Sequence, residues 1–164
     1  MKKWKLFAVI CTSPSLAVAK TITIDYVSTG NFIQNEASSA IGWLSEQTGD
    51  PDYLFIAEPG QSASGKFRMY FNFIQLDGFR VCKDDYLGKS VVTINNQDVE
   101  MSRFCVDSPN NVHTSMTATS ERGNQYILEQ FQSKNTVHFH FGSHHVTFDA
   151  KGYVSRFGKT GTVL

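Results

Sequence analysis

Residues 136–149, TVHFHFGSHHVTFD, constrain the fold more than any other stretch of this chain. Two runs that alternate apolar and polar side chains flank Gly142-Ser143, a dipeptide suited to a two-residue II′ hairpin turn. Such a turn leaves no freedom of register. Phe141 must face His144, His140 must face His145, and Phe139, His138 and Val137 must face Val146, Thr147 and Phe148. The side-chain period of two then divides the ribbon into an apolar face and a polar one. The apolar face carries Val137, Phe139, Phe141, His144, Val146 and Phe148; the polar face carries Thr136, His138, His140, His145, Thr147 and Asp149. The chain therefore owns at least one half-buried antiparallel ribbon, and four of its five histidines lie on it.

A ribbon of this kind needs a core to face, and the rest of the chain supplies one. Residues 66–76 alternate Phe67, Met69, Phe71 and Phe73 with Arg68, Tyr70 and Asn72, a strand pattern fit for the centre of a sheet. Residues 21–27 alternate in the same way as a first strand, and 53–57 form a short apolar one after the turn at 49–52. Gly78 separates the strong strand from a short one at 79–82. Residues 90–94 and 99–106 form a second hairpin across 95–98, and 112–119 read as a Thr-rich edge strand. A last strand is expected at 153–157, after Gly152. Helical spacing occurs twice. Ala37, Ala40, Ile41 and Leu44 fall on one face between Asn35 and the Gly49–Pro51 stop, although Gly42 costs such a helix about 1 kcal/mol. Ile127, Leu128 and Phe131 make a narrow stripe over 120–132, where Ser120 or Thr119 can accept the cap. Residues 58–65 and 107–111 read as exposed loops. The expected fold is mainly β (β-rich α+β), a single sandwich-like or curled antiparallel sheet with two short helices.

The first 19 residues stand apart from this domain. Lys2, Lys3 and Lys5 precede a short apolar run, and Ala17-Val18-Ala19 offers an A-x-A cleavage site, the pattern of a signal peptide. The run is too short to span a bilayer. Cys11 suggests a lipoprotein, but Ile10 stands where a small residue would precede a lipidated cysteine. The expected product is residues 20–164, exported without membrane insertion into a bacterial periplasm or beyond it. Export also settles the charge. The full chain has 15 basic and 15 acidic residues; loss of three lysines leaves 12 against 15, a formal −3. That balance argues against nucleic acid as a partner. Cys82 and Cys105 then remain as one pair, most simply a disulfide in an oxidising compartment, the alternative being two buried thiols.

Chemistry is sparsely signalled. His140 and His145 should be a directly opposed cross-strand pair, with His138 two residues along the same face. Three neutral imidazoles could bind zinc or copper, although solvent-side histidines on a strand are more often plain polar residues and a flat ribbon is no tetrahedral cage. Gathered protons near pH 6 would also make this face pH-sensitive. His144 points to the core face and reads as structural. Gly158-Lys159-Thr160 resembles the end of a P-loop, but Tyr153 stands where its first glycine belongs. Ser62 follows Gly60 as in a nucleophile elbow, yet Ser64 occupies the second glycine position. No motif gathers a catalytic set, so an enzyme is not expected. Aromatic residues, 13% of the chain, and the two polar loops suit a binding surface. The expected function is that of a non-catalytic binding protein whose partner is another protein, as an immunity protein or inhibitor of an envelope protein. The alternative is a periplasmic metal-binding protein using His138, His140 and His145.

Overall fold

A computed structural model describes residues 24–27, 32, 39–44, 51–75, 82, 85–108 and 111–158. The signal pattern at 1–19, the expected strand at 79–81 and the last six residues lie outside the described residues. The C-terminal hairpin forms with the register its alternation dictates. β8 (Thr136–Phe141) and β9 (His144–Asp149) pair from Thr136↔Asp149 to Phe141↔His144, and Gly142 turns the chain at φ 58°. The sheet grows on both sides of this ribbon. β1 (Ile24–Val27) adds to β9 in parallel, and β5 (Tyr86–Ile94) adds to β8 through Thr93↔His140 and Ile94↔Phe139. β5 pairs along its length with β6 (Gln97–Ser108), which pairs with β7 (Asn111–Ala118). β4 (Phe67–Gln75), β3 (Pro51–Gln61) and β2 (Ser39–Leu44) complete the order β1-β9-β8-β5-β6-β7-β4-β3-β2. The two end strands, β1 and β2, come to lie beside each other, so the sheet curls until it is nearly closed. The curled alternative, and not a sandwich, is the observed one.

The inward phases of β3, β4, β6, β7, β8 and β9 supply the core: Phe55 and Ala57, Met69 and Phe71, Val99 and Met101, Met116 and Ala118, Phe139, Val146 and Phe148 are all buried. One helix, α1 (Glu121–Ser133), lies on this concave face and buries Ile127, Leu128 and Phe131 against it. Ser120 caps α1 by accepting a hydrogen bond from the Gly123 N–H at 3.1 Å. Gly123 is required for close approach, since a Cβ there would lie 3.0 Å from Val99 Cγ1. Two polar links then set where the helix sits. Asn124 Nδ2 donates to the Phe67 carbonyl at 2.9 Å, and the Tyr126 hydroxyl donates to the Ile94 carbonyl at 2.8 Å. The Phe131 ring lies 6.2 Å from Phe71 and 6.4 Å from Phe148, bridging two distant strands. A second helix, α2 (Tyr153–Phe157), follows β9 and packs Tyr153 and Phe157 around Phe32, with ring centroids 5.2 and 5.9 Å away.

Six expectations are corrected by these elements. Residues 153–157 are helical, because Gly152 at φ 85° ends β9 and the buried pair Tyr153 and Phe157 sits at i, i+4; a strand would have buried Ser155 with them, and it is exposed. Residues 39–44 are a strand. The apolar spacing around Ala40 and Ile41 loses to pairing along β3, and Gly42 had already weakened the helix. The loop expected at 58–65 shrinks to a turn beginning at Ser62, because β3 continues through Pro59↔Met69 to Gln61↔Phe67. Proline is tolerated there since the pairing of β2 along β3 ends at Ala57. Of the loop expected at 107–111, Asp107 and Ser108 belong to β6 and Asn111 to β7, with Ser108 facing Asn111, and β7 is an interior strand between β6 and β4, not an edge. The turn placed at 95–98 is also tighter. Asn95 and Asn96 alone make it, at φ 43° and 70°, the left-handed pair of a I′ hairpin, so Gln97 and Asp98 belong to β6.

Cys82 and Cys105 form the expected disulfide, with Cα atoms 5.7 Å apart. No helix among the described residues is long and apolar enough to cross a membrane. The cross-link closes 23 residues and should hold back the unfolded chain by about 3 kcal/mol. Urea unfolding of the Cys82→Ser/Cys105→Ser protein should show a loss of that size, and Phe131→Ala should cost about 3–5 kcal/mol through the hole it leaves between Phe71 and Phe148. An unchanged unfolding midpoint in either variant would contradict the packing described here.

Candidate functional site

Helix α1 does not cover the whole concave face. Its contacts lie at the end marked by Phe67, Ala118, Val99 and Phe148. At the other end of those strands and of β8, Phe73 and Gln75 on β4, Thr114 on β7, Arg103 on β6, Phe141 on β8 and His144 on β9 surround a cavity of about 250 Å³. Tyr53 and Phe55 on β3 close its far wall. The wall is made of rings. Phe55 meets Phe73 edge to face at 4.4 Å, Phe73 meets Phe141 at 5.8 Å, and the His144 imidazole lies 5.8 Å from Phe55 and 6.1 Å from Tyr53. His144 is thus on the core face, as the register requires, but it lines a space as well as filling one. Burial holds its pKa below the usual imidazole value, so the ring is neutral at pH 7.

Arg103 is the one cation in this wall among the described residues. It occupies the inward phase of β6 after Val99 and Met101, opposite Met116 on β7. Its Nη2 donates to the Leu87 carbonyl at 2.9 Å, which fixes the guanidinium, while its buried Nε has no hydrogen-bond partner. Cys105 follows at the next inward position, and its N–H donates to the Asp85 carbonyl at 2.9 Å. The disulfide therefore ties the approach to β5 to the same end of the sheet. Arg103 was missed from the sequence, although a signal existed: an arginine in step with Val99 and Met101 on an alternating strand is out of place on an apolar face.

The polar face of the C-terminal hairpin lies on the opposite side of the sheet. His140 and His145 face each other there as expected, and their rings stack 4.0 Å apart, 12° from parallel. His138 shares their face but meets Thr147, its Nδ1 3.0 Å from the hydroxyl. The fold thus brings together two of the three histidines proposed as ligands. A ring nitrogen binds a metal in the plane of its ring, so two stacked rings direct their lone pairs side by side and not at one point. Among the described residues no group of three or more His, Cys, Asp or Glu side chains could hold a metal ion.

On the outer surface, Tyr86 and Phe104 pair across β5 and β6 with ring centroids 5.5 Å apart, and Leu87 and Val91 are exposed on the same strand as Tyr86. These four are the large apolar side chains exposed among the described residues. Comparison with protein families, curated proteins and solved structures finds no match in any of the three.

The stacked histidines lead to a definite expectation for metal. Calorimetric titration of the oxidised protein with zinc or copper should give only weak binding, unchanged by His140→Ala/His145→Ala. Micromolar or tighter binding that disappears in the double variant would make the hairpin a metal site instead.

Proposed function

We propose that this is an exported, non-catalytic binding protein whose ligand, a small molecule, occupies the cavity on the concave side of the curled sheet. The observation that carries the reading is the cavity wall itself: the aromatic faces of Tyr53, Phe55, Phe73 and Phe141 around a space of about 250 Å³, with the fixed Arg103 and the polar side chains of Gln75, Thr114 and His144 among them. Pockets built this way hold small ligands, the apolar wall providing most of the affinity and the few polar groups the orientation. The walls belong to paired strands closed near one end by a disulfide, so the site is rigid before a ligand arrives. The disulfide also suits an oxidising compartment, and with the signal pattern at 1–19 it supports export to a bacterial periplasm.

A second reading keeps the partner a protein, as for an immunity protein or inhibitor of an envelope protein. It is favoured by the Tyr86–Phe104 pair, since exposed aromatic residues grouped on a strand surface suit a protein contact. The two readings use opposite faces of the sheet and separate cleanly.

The test is a panel of small aromatic and aliphatic compounds followed by NMR and thermal unfolding. Binders should shift the signals of His144 and Phe73 and raise the melting temperature, and Thr114→Phe, which fills the cavity from β7, should abolish both effects. A ligand at a hundred times its Kd should add about 2.7 kcal/mol of stability. If no compound moves the cavity signals, and a Tyr86→Ser/Phe104→Ser variant loses an envelope protein that the unaltered chain binds, the second reading replaces the first.

A further inference from the structure

We infer that the cavity selects a small apolar carboxylate, with the acid group on Arg103 and the tail against the rings of Phe55, Phe73 and Phe141. The inference rests on the cavity being a ligand site, and adds which chemistry it takes.

Arg103 is the reason. A guanidinium placed among aromatic side chains loses its hydration, and each N–H left without an acceptor there is a cost to the folded protein. The Nη2 bond to Leu87 answers one donor; the buried Nε–H is answered by none. Among the described residues the ion pairs join Lys66 and Arg68 to Glu121, Lys89 to Glu100 and Lys151 to Asp149, and no carboxylate pairs with Arg103. The guanidinium is thus held in place at a part-exposed position, with its Nε–H buried and short of an acceptor. A carboxylate fits that need, because its two oxygens match the fork of N–H donors in one plane. Among the described residues Arg103 is the one cation lining the cavity, which matches one negative charge. The neutral His144 adds no charge to this balance.

The rest of the wall specifies the tail. An apolar cavity of about 150 Å³ accommodates benzene. The space here, about 250 Å³, is larger, and takes a phenyl ring with a short acid-bearing chain or a medium-length alkyl chain.

The deciding measurement compares 3-phenylpropanoate and octanoate with 3-phenylpropanol and octanol, by calorimetry at pH 7 on the oxidised protein, beside Arg103→Met and Thr114→Phe. The acids should bind at least tenfold tighter than the matching alcohols. Arg103→Met should weaken the acids on the order of tenfold to a hundredfold and leave the alcohols nearly unchanged. It should also leave the melting temperature of the unliganded protein equal or higher, whereas a purely structural arginine would lower it. Acids and alcohols that bind equally, both lost in Thr114→Phe, would overturn the carboxylate and leave the cavity a ligand site. Binding by neither, or binding that survives Thr114→Phe, would overturn both. If Arg103→Met does not fold, the acid–alcohol ratio on the unaltered protein decides alone.

Discussion

The structure turns on a mismatch between the area of the sheet's apolar face and the length of the helix available to cover it. Strands of nine to twelve residues run for roughly 30–40 Å, and their inward side chains are apolar for most of that distance. The covering helix has 13 residues, about 20 Å. It cannot shade the whole face. Ser120, Gly123, Asn124 and Tyr126 lock it over one end, and α2 with Phe32 thickens the cover there. At the other end the sheet covers itself by curling, so the rings of β3, β4, β8 and β9 face one another across a gap. The cavity is what remains when a face is too long for its helix and too strongly curved to close.

Legibility in the sequence followed the range of the interactions involved. The C-terminal hairpin was readable to the residue because a two-residue turn and period-two alternation are both local, and together they leave one register. Helix α1 was readable because its cap and its stripe, Ser120 with Ile127, Leu128 and Phe131, lie within one segment. The disulfide followed from reading Cys11 as part of a signal peptide, which leaves Cys82 and Cys105 as a pair. The errors are of the opposite kind. Ala37, Ala40, Ile41 and Leu44 have helical spacing, but backbone pairing with β3 decides the conformation of β2, and no local pattern reports that partner. Tyr153, Ser155 and Phe157 satisfy alternation as well as i, i+4 spacing, and five residues are too few to separate the periods. Asn95-Asn96 is a I′ turn without the glycine that advertises one. The cavity lay further still beyond reach, since it joins residues from six strands. Only Arg103, an arginine in an apolar phase, marked it within a single strand.

The four histidines of the hairpin show how little composition says about role. His144 and His145 are adjacent in sequence and project to opposite sides of one sheet. One sits among aromatic rings on the concave side and is held neutral by burial; the other stacks on His140 on the convex side. His138, on that same side, has settled on a threonine hydroxyl. A count of imidazoles suggested one cluster. Strand geometry distributes them among three environments, and the cavity receives the one that alternation had set aside as structural.

Parallel pairing between β1 and β9 ties the chain's two halves in time as well as in space. The register joins Ile24 to His144 and Val27 to Thr147, so the strand made early completes its hydrogen bonds only on one of the last strands to be made. Every other pairing can form from segments closer in the chain, and the hairpins of β5 with β6, β6 with β7 and β8 with β9 need only local turns. Synthesis from the N-terminus therefore leaves β1 without its partner until nearly the whole domain has emerged. Until then the open edge of β9's future position is vacant and the curl cannot close. For a chain that emerges from its N-terminus, the contact that finishes the sheet is therefore the last to become available, whatever has formed before it.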